Sequence, residues 1–162
     1  MRREAPGPGQ ESVWDYPRPP ALEPTARRIR IVVDGVMIVD TTAAWRVLET
    51  SHPPGYYIPP ADVLAGVLSP APGGSVCEWK GRAEYFSVRL PNRELVNVAW
   101  AYPEPTARFA PIAGYVAFYA GAMDRCLVDD EVVVAQPGGF YGGWITADVV
   151  GPFKGGPGTG GW

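Results

Sequence analysis

This chain predicts a mainly β domain of antiparallel hairpins with two short helices, and three observations carry that reading. Alternating apolar and polar residues are interrupted by two-residue turn signals, of which Asp34-Gly35 is the strongest. Such hairpins recur at regular spacing along the chain, which is the pattern of an all-β domain. Finally, 20 Gly and 19 Pro in 162 residues exceed average usage and favour turns and extended backbone over helix. That length suits one core, expected over residues 27–135, with an extended arm at 1–26 and a Gly-rich aromatic arm at 136–162.

Residues 1–26 are rich in Pro and charge yet carry Trp14 and Tyr16, so they are expected to pack on the domain in extended form. Arg28-Ile29-Arg30-Ile31-Val32-Val33 alternates, turns at Asp34-Gly35 and returns as Val36-Met37-Ile38-Val39-Asp40. Thr41 or Thr42 then caps a short helix to about Thr50, with Ala44, Val47, Leu48 and Ser51 on one face and Trp45, Glu49 and His52 on another. Pro53 disfavours helical backbone at His52 and ends it there. Tyr56-Tyr57-Ile58 reads as a short strand, Pro60 to Leu68 as a second short helix, and Ser69 to Ser75 as a loop. Arg82 to Leu90 alternates and pairs through Pro91-Asn92-Arg93 with Glu94 to Trp100. Gly114 to Tyr119 is a buried strand, and Arg125 to Val128 pairs with Glu131 to Val134 across Asp129-Asp130. In the last segment Phe140, Tyr141, Trp144, Phe153 and Trp162 make docking the expected state, because large apolar rings are costly to leave in water.

Composition narrows the function classes. A formal net charge of −3, with 14 dispersed Lys and Arg, speaks against a nucleic-acid partner. No apolar run approaches the roughly 18 residues needed to span a bilayer. Met1-Arg2-Arg3-Glu4-Ala5-Pro6 runs into Gly and Pro, not into the apolar stretch of a secretory signal, so a cytoplasmic protein without membrane contact is expected. Cys77 and Cys126 are then expected as free thiols.

Five blocks resemble a known family: Tyr56-Tyr57-Ile58-Pro59, Cys77-Glu78-Trp79-Lys80-Gly81, Ala83-Glu84-Tyr85, Ala99-Trp100-Ala101-Tyr102-Pro103 and Gly114-Tyr115-Val116-Ala117-Phe118-Tyr119. In order and approximate spacing they are similar to the domain of unknown function 427 family over roughly residues 28–135. The flanks, Trp14-Asp15-Tyr16-Pro17-Arg18-Pro19-Pro20 and Gly142-Gly143-Trp144-Ile145-Thr146, resemble those of an extended subgroup. The resemblance implies a β-tent fold, two small antiparallel sheets meeting at an angle, and no assigned activity. A nucleotidyltransferase label sometimes attached to the family finds no support in this chain. There is no Gly-Ser pair followed by Asp-x-Asp, and Gly155-Gly156-Pro157-Gly158-Thr159-Gly160 lacks the Gly-Lys-Ser/Thr ending of a phosphate loop. Many β-tent proteins hold zinc through two Cys-x-x-Cys pairs, but two distant cysteines and one histidine do not supply such a site. Neither a metal nor another cofactor is expected.

The residues able to carry chemistry centre on His52, the chain's one histidine, held in a Pro- and Tyr-rich segment. Glu49 lies three residues before it and can orient or charge the imidazole for acid–base work; the plainer alternative is a histidine capping a helix end. Ser51 is no nucleophile on adjacency alone, since sequential neighbours seldom give triad geometry. Lys80 beside Gly81 can reach an anionic ligand, or stand solvated in a loop. Cys126 reads as core packing, whereas Cys77 lies near Lys80, where a cation favours the thiolate. Tyr56, Tyr57, Tyr85, Trp100 and Tyr102 either line an amphipathic pocket or fill a small β core.

Two functions follow. In the first, the domain binds a small organic molecule in an aromatic pocket, with Glu49, His52, Lys80 and Tyr85 as catalytic candidates for an isomerase, cyclase or lyase step, and Tyr56, Tyr57, Cys77, Trp100 and Tyr102 as ligand contacts. In the second, it is a non-catalytic interaction module whose terminal arms embrace a partner or a second copy. Convergence of His52, Lys80 and Tyr85 around one cavity favours the first.

Overall fold

The structure is a computed structural model that describes residues 1–162. Its N-terminal segment contributes β1 (Glu11–Ser12) and β2 (Ala21–Pro24). β3 (Ile29–Val33) turns into β4 (Val36–Thr41) through Asp34 and Gly35, both at positive φ (51° and 72°), the backbone that the Asp-Gly pair was expected to supply. β5 (Trp45–Leu48) and β6 (Gly55–Tyr57) follow, then a long meander of β7 (Leu68–Cys77), β8 (Gly81–Leu90) and β9 (Arg93–Ala101). β10 (Val116–Phe118), β11 (Arg125–Val128) and β12 (Glu131–Val132) complete the middle, and β13 (Val134–Ala135), β14 (Trp144–Ile145) and β15 (Val149–Val150) lie towards the C-terminus. The three expected hairpins are all present, and no helix is long and apolar enough to cross a membrane.

Two four-stranded antiparallel sheets, ordered β12-β11-β3-β4 and β10-β9-β8-β7, enclose the main core. Period-two alternation points Ile29, Ile31 and Val33 inward from one sheet, to meet Val88, Val116 and Phe118 from the other. A three-stranded sheet, β2-β5-β6, is stitched to β10 by reciprocal 2.8 Å bonds between Ile58 and Val116. Beneath that junction a second apolar cluster of Val47, Tyr57, Ala83, Tyr102, Phe109 and Ile112 forms.

Three local expectations are corrected. The segment expected as a helix from Thr41 to Thr50 holds β5 instead. Trp45 to Leu48 is a short run whose period is ambiguous, and pairing with β2 on one side and β6 on the other makes it the middle strand of its sheet. The second expected helix shrinks to one 3-10 turn, Pro60–Asp62, because Val63 bridges back to Val39 and Gly66 turns the chain at φ 79°. The expected Ser69–Ser75 loop is part of β7; its prolines are accommodated because β7 is an edge strand, with the register shifting between Ala71 and Gly74.

Both terminal segments are tied to this frame. β1 pairs in parallel with β15, and β2 completes the sheet of β5. Between them Arg46, buried on β5, is held by Glu11 at 3.1 Å and Glu23 at 2.7 Å, while the Tyr16 hydroxyl donates to Glu11 at 2.8 Å. Burial alone pushes the Glu11 carboxyl up, but the bonds from Arg46 and Tyr16 outweigh it and hold the group below its ordinary 4.5. A depressed carboxyl contributes stability that is complete above its unfolded value and lost as pH falls through the folded one. Arg46→Met is therefore expected to cost about 1–2 kcal/mol at pH 7, the range for hydrogen bonds to charged groups discounted for the partly exposed glutamates. It should also flatten the loss of stability below pH 4.5, as urea titrations at both pH values will read.

Candidate functional site

A cleft of about 340 Å³ opens where β5, β6, the β7–β8 turn, β9 and the C-terminal arm come together. Its position follows from strand alternation. On β5, Val47 faces the cleft while Arg46 turns to the arm, and on β6, Tyr57 faces the cleft while Tyr56 turns to the core. Tyr85 of β8 and Trp100 of β9, opposite each other in register, supply the far wall.

Eight of the nine residues singled out from sequence line this cleft: Glu49, His52, Tyr57, Cys77, Lys80, Tyr85, Trp100 and Tyr102. Tyr56 is the exception. It is 2% exposed, packs against Trp144 with ring centroids 5.1 Å apart, and belongs to the core, so its ligand-binding role is withdrawn. Cys77 and Cys126 are both free; burial pushes the Cys126 thiol up to about 12, as suits a core residue.

Glu49 and His52 meet through a turn and not a helix. The His52 N–H donates to the Glu49 carbonyl at 3.0 Å, and Ser51 between them adopts φ 71°. This brings His52 Nε2 to 3.4 Å from Glu49 Oε2 without the helical turn that their spacing had suggested. Arg18 reaches the same oxygen at 3.3 Å. Burial pushes the Glu49 carboxyl up, yet His52, then Lys80 and Arg18, outweigh it and keep the group ionised below the ordinary carboxylate range.

The opposite side is aromatic. Trp100 Nε1 donates to the Tyr57 hydroxyl at 3.3 Å, and Tyr57 and Tyr102 lie 6.3 Å apart, centroid to centroid. Burial raises both phenols above their usual range, so they remain hydroxyl donors. The Lys80 ammonium stands 5.6 Å over the Tyr102 ring and is paired with no carboxylate. A cation without a carboxylate partner beside aromatic rings suits an anionic or carbonyl group on a ring-shaped ligand.

Sequence reasoning missed Arg18, Gln136, Tyr141 and Gly142. Gln136, 4% exposed, donates from Nε2 to His52 Nδ1 at 3.0 Å, and Tyr141 packs edge-on against the imidazole at 4.7 Å. Gly142 lies flat on Trp100, so close that a Cβ there would fall 2.0 Å from the indole. The aromatic cluster of the C-terminal segment was the available signal; the Gly-Gly beside it marks close backbone approach. Phe140 alone of those rings is exposed, at 75%, on the lip of the cleft.

No curated protein matches the chain significantly. Strands β2 to β11, with the eight converging residues, lie within residues 21–129, which match the family described as Domain of unknown function (DUF427), and the chain belongs to that family.

Proposed function

We propose that the cleft binds a small ring compound carrying a carboxylate or carbonyl, and that Glu49 and His52 serve proton transfer on it in an isomerase, cyclase or lyase step. The observation that carries this reading is the gathering of an ionised carboxylate, an imidazole and an unpaired ammonium around one aromatic-lined cleft. A volume of about 340 Å³ is at the small end of ligand sites and favours one or two rings. Trp14, Trp144 and Trp162 find partners within the chain: Trp14 meets Trp162 edge-on at 5.3 Å, and Trp144 bonds the Phe118 carbonyl. The arms are thereby engaged with the chain itself, which weighs against the reading in which they grip a partner. The two sheets closing on one core also support placing the fold in the β-tent class.

Thermal shift with benzoate, 4-hydroxybenzoate, phenol and acetate tests the reading. A ring carboxylate at ten times its dissociation constant should raise the midpoint by about 3–6 °C, and acetate should not. Lys80→Met should remove the advantage of benzoate over phenol. If neither ring acid shifts the midpoint, or Lys80→Met leaves that advantage intact, the cleft is not an acid-binding site.

A further inference from the structure

We propose that Glu49, rather than His52, presents the atom that meets a ligand's proton, and that His52 is its positioning residue, locked in one tautomer by Gln136. The proposal rests on reading the cleft as a ligand site, and goes beyond that reading by assigning each polar atom its role.

Backbone N–H and C=O groups have fixed donor and acceptor identities. The Gly143 N–H donates to one end of the Gln136 amide at 3.0 Å, so that end is the oxygen, Oε1. The other end is the NH₂ group. Its nitrogen lies 2.9 Å from the Lys154 carbonyl, which can only accept, and 3.0 Å from His52 Nδ1. With one hydrogen on the carbonyl, the second points at Nδ1, and an imidazole nitrogen that accepts a hydrogen bond carries no proton. The ring proton therefore sits on Nε2, facing Glu49 Oε2 at 3.4 Å. Tyr141, edge-on at 4.7 Å, restrains the ring plane.

With Nδ1 accepting from Gln136 and Nε2 carrying the proton, His52 has no lone pair free for a ligand. Glu49 does. Its Oε2 lies 3.4 Å from His52 Nε2 and accepts from Arg18 at 3.3 Å, whereas Oε1 receives no protein donor. With Arg18 and His52 both on Oε2, Oε1 is the carboxylate oxygen left for a ligand, on a residue that lines the cleft. A ligand hydroxyl, N–H or acidic C–H is thus matched to Oε1, and a carbonyl or carboxylate on the same ligand to Lys80. If a proton passes to Oε1, its electron pair stays on the ligand beside the Lys80 ammonium. The substrate class is accordingly a ring compound bearing both a donor and an acceptor. Arg18, Gln136 and Tyr141 all lie outside residues 21–129, so the arms supply the orienting groups to residues of the family domain.

The chain has one histidine, so its ring nitrogens are read without ambiguity in ¹⁵N-labelled protein. The expected spectrum has the proton on Nε2 and a coupling across the hydrogen bond between Gln136 Nε2 and His52 Nδ1. Gln136→Glu should move the proton to Nδ1, since a carboxylate there accepts instead of donating. Glu49→Gln should leave the tautomer unchanged. A wild-type ring protonated on Nδ1, or one without the coupling, overturns the lock even if Gln136→Glu fails to fold. Titration with 4-hydroxybenzoate should then shift the Glu49 carboxyl carbon and leave Nδ1 in place; a shift at Nδ1 alone makes His52 the ligand-facing group. If 4-hydroxybenzoate binds nowhere while the tautomer signature holds, the ligand-facing role of Glu49 falls with the acid-binding site, and the lock stands as a structural device.

Discussion

Trp144→Ala is expected to lower the stability of the folded chain by about 3–5 kcal/mol, the cost of emptying a large buried aromatic site. The ring is 1% exposed and lies 5.1 Å from Tyr56. Its Nε1 donates to the Phe118 carbonyl at 3.0 Å, and its backbone N–H to the Pro54 carbonyl at 2.8 Å. The substitution thus opens a cavity in the main core and leaves a buried carbonyl without its donor. Set against the 5–15 kcal/mol that a domain usually commands, roughly a third of the stability depends on one side chain outside residues 21–129. Trp144→Phe restores most of the packing but not the hydrogen bond, and should recover all except about 1–2 kcal/mol. Urea midpoints followed by far-ultraviolet circular dichroism give both values; a loss under 1 kcal/mol for the alanine variant would mean that the C-terminal segment is not part of the cooperative fold.

The second large effect is expected at Gly155, where Ala should cost at least about 2 kcal/mol. The backbone there adopts φ 135°, which side-chain-bearing residues avoid, and an added Cβ would fall 1.9 Å from the Pro137 carbonyl oxygen. Gly138 stands in the reciprocal relation, its own Cβ position lying 2.0 Å from the Gly155 carbonyl oxygen. Two strands of backbone cross with no room for a side chain on either. Alanine must separate them, and because Pro137 adjoins Gln136, separation withdraws the amide from His52. Gly156→Ala is the internal control, since nothing lies within 4 Å of its Cβ position; its effect should stay within about 0.5 kcal/mol. A Gly155→Ala protein as stable as the control, with the histidine spectrum unchanged, would refute the crossing.

What sequence conveyed and what it did not separate along physical lines. The hairpins were legible because Asp34-Gly35 and Asp129-Asp130 encode their turns locally, and Asp34, Gly35 and Asp129 do sit at positive φ. β5 was not, because a run as short as Trp45–Leu48 has no decisive period and is settled by partners on both edges. Composition hid β7, whose Pro and Gly are tolerated only because one edge is unpaired. At the site, residue types chosen for their chemistry came together, but Tyr56 and Tyr57 were taken as a pair although neighbours on a strand face opposite ways. Alternation admits one of the two, and Tyr57 is the one that meets the cleft. The ties from Arg18 to Glu49 and from Gln136 to His52 had no local signature, for a hydrogen bond spanning 84 residues leaves no mark on the sequence around either end.

The parallel pairing of β1 with β15 has a kinetic side. Trp14 and Pro152, joined by a 2.9 Å hydrogen bond next to that pairing, are 138 positions apart, and closing so long a loop yields nothing until both ends have arrived. The hairpins of the two sheets close loops of a few residues and form without waiting for it. The contacts that orient the site lie nearer in sequence: Arg18 meets Glu49 across 31 positions and Gln136 meets His52 across 84, no farther than the 93 that set Arg125 against Val32 where β11 joins β3. The longest closures in the chain thus belong to the join of its ends and not to the Glu49–His52 turn.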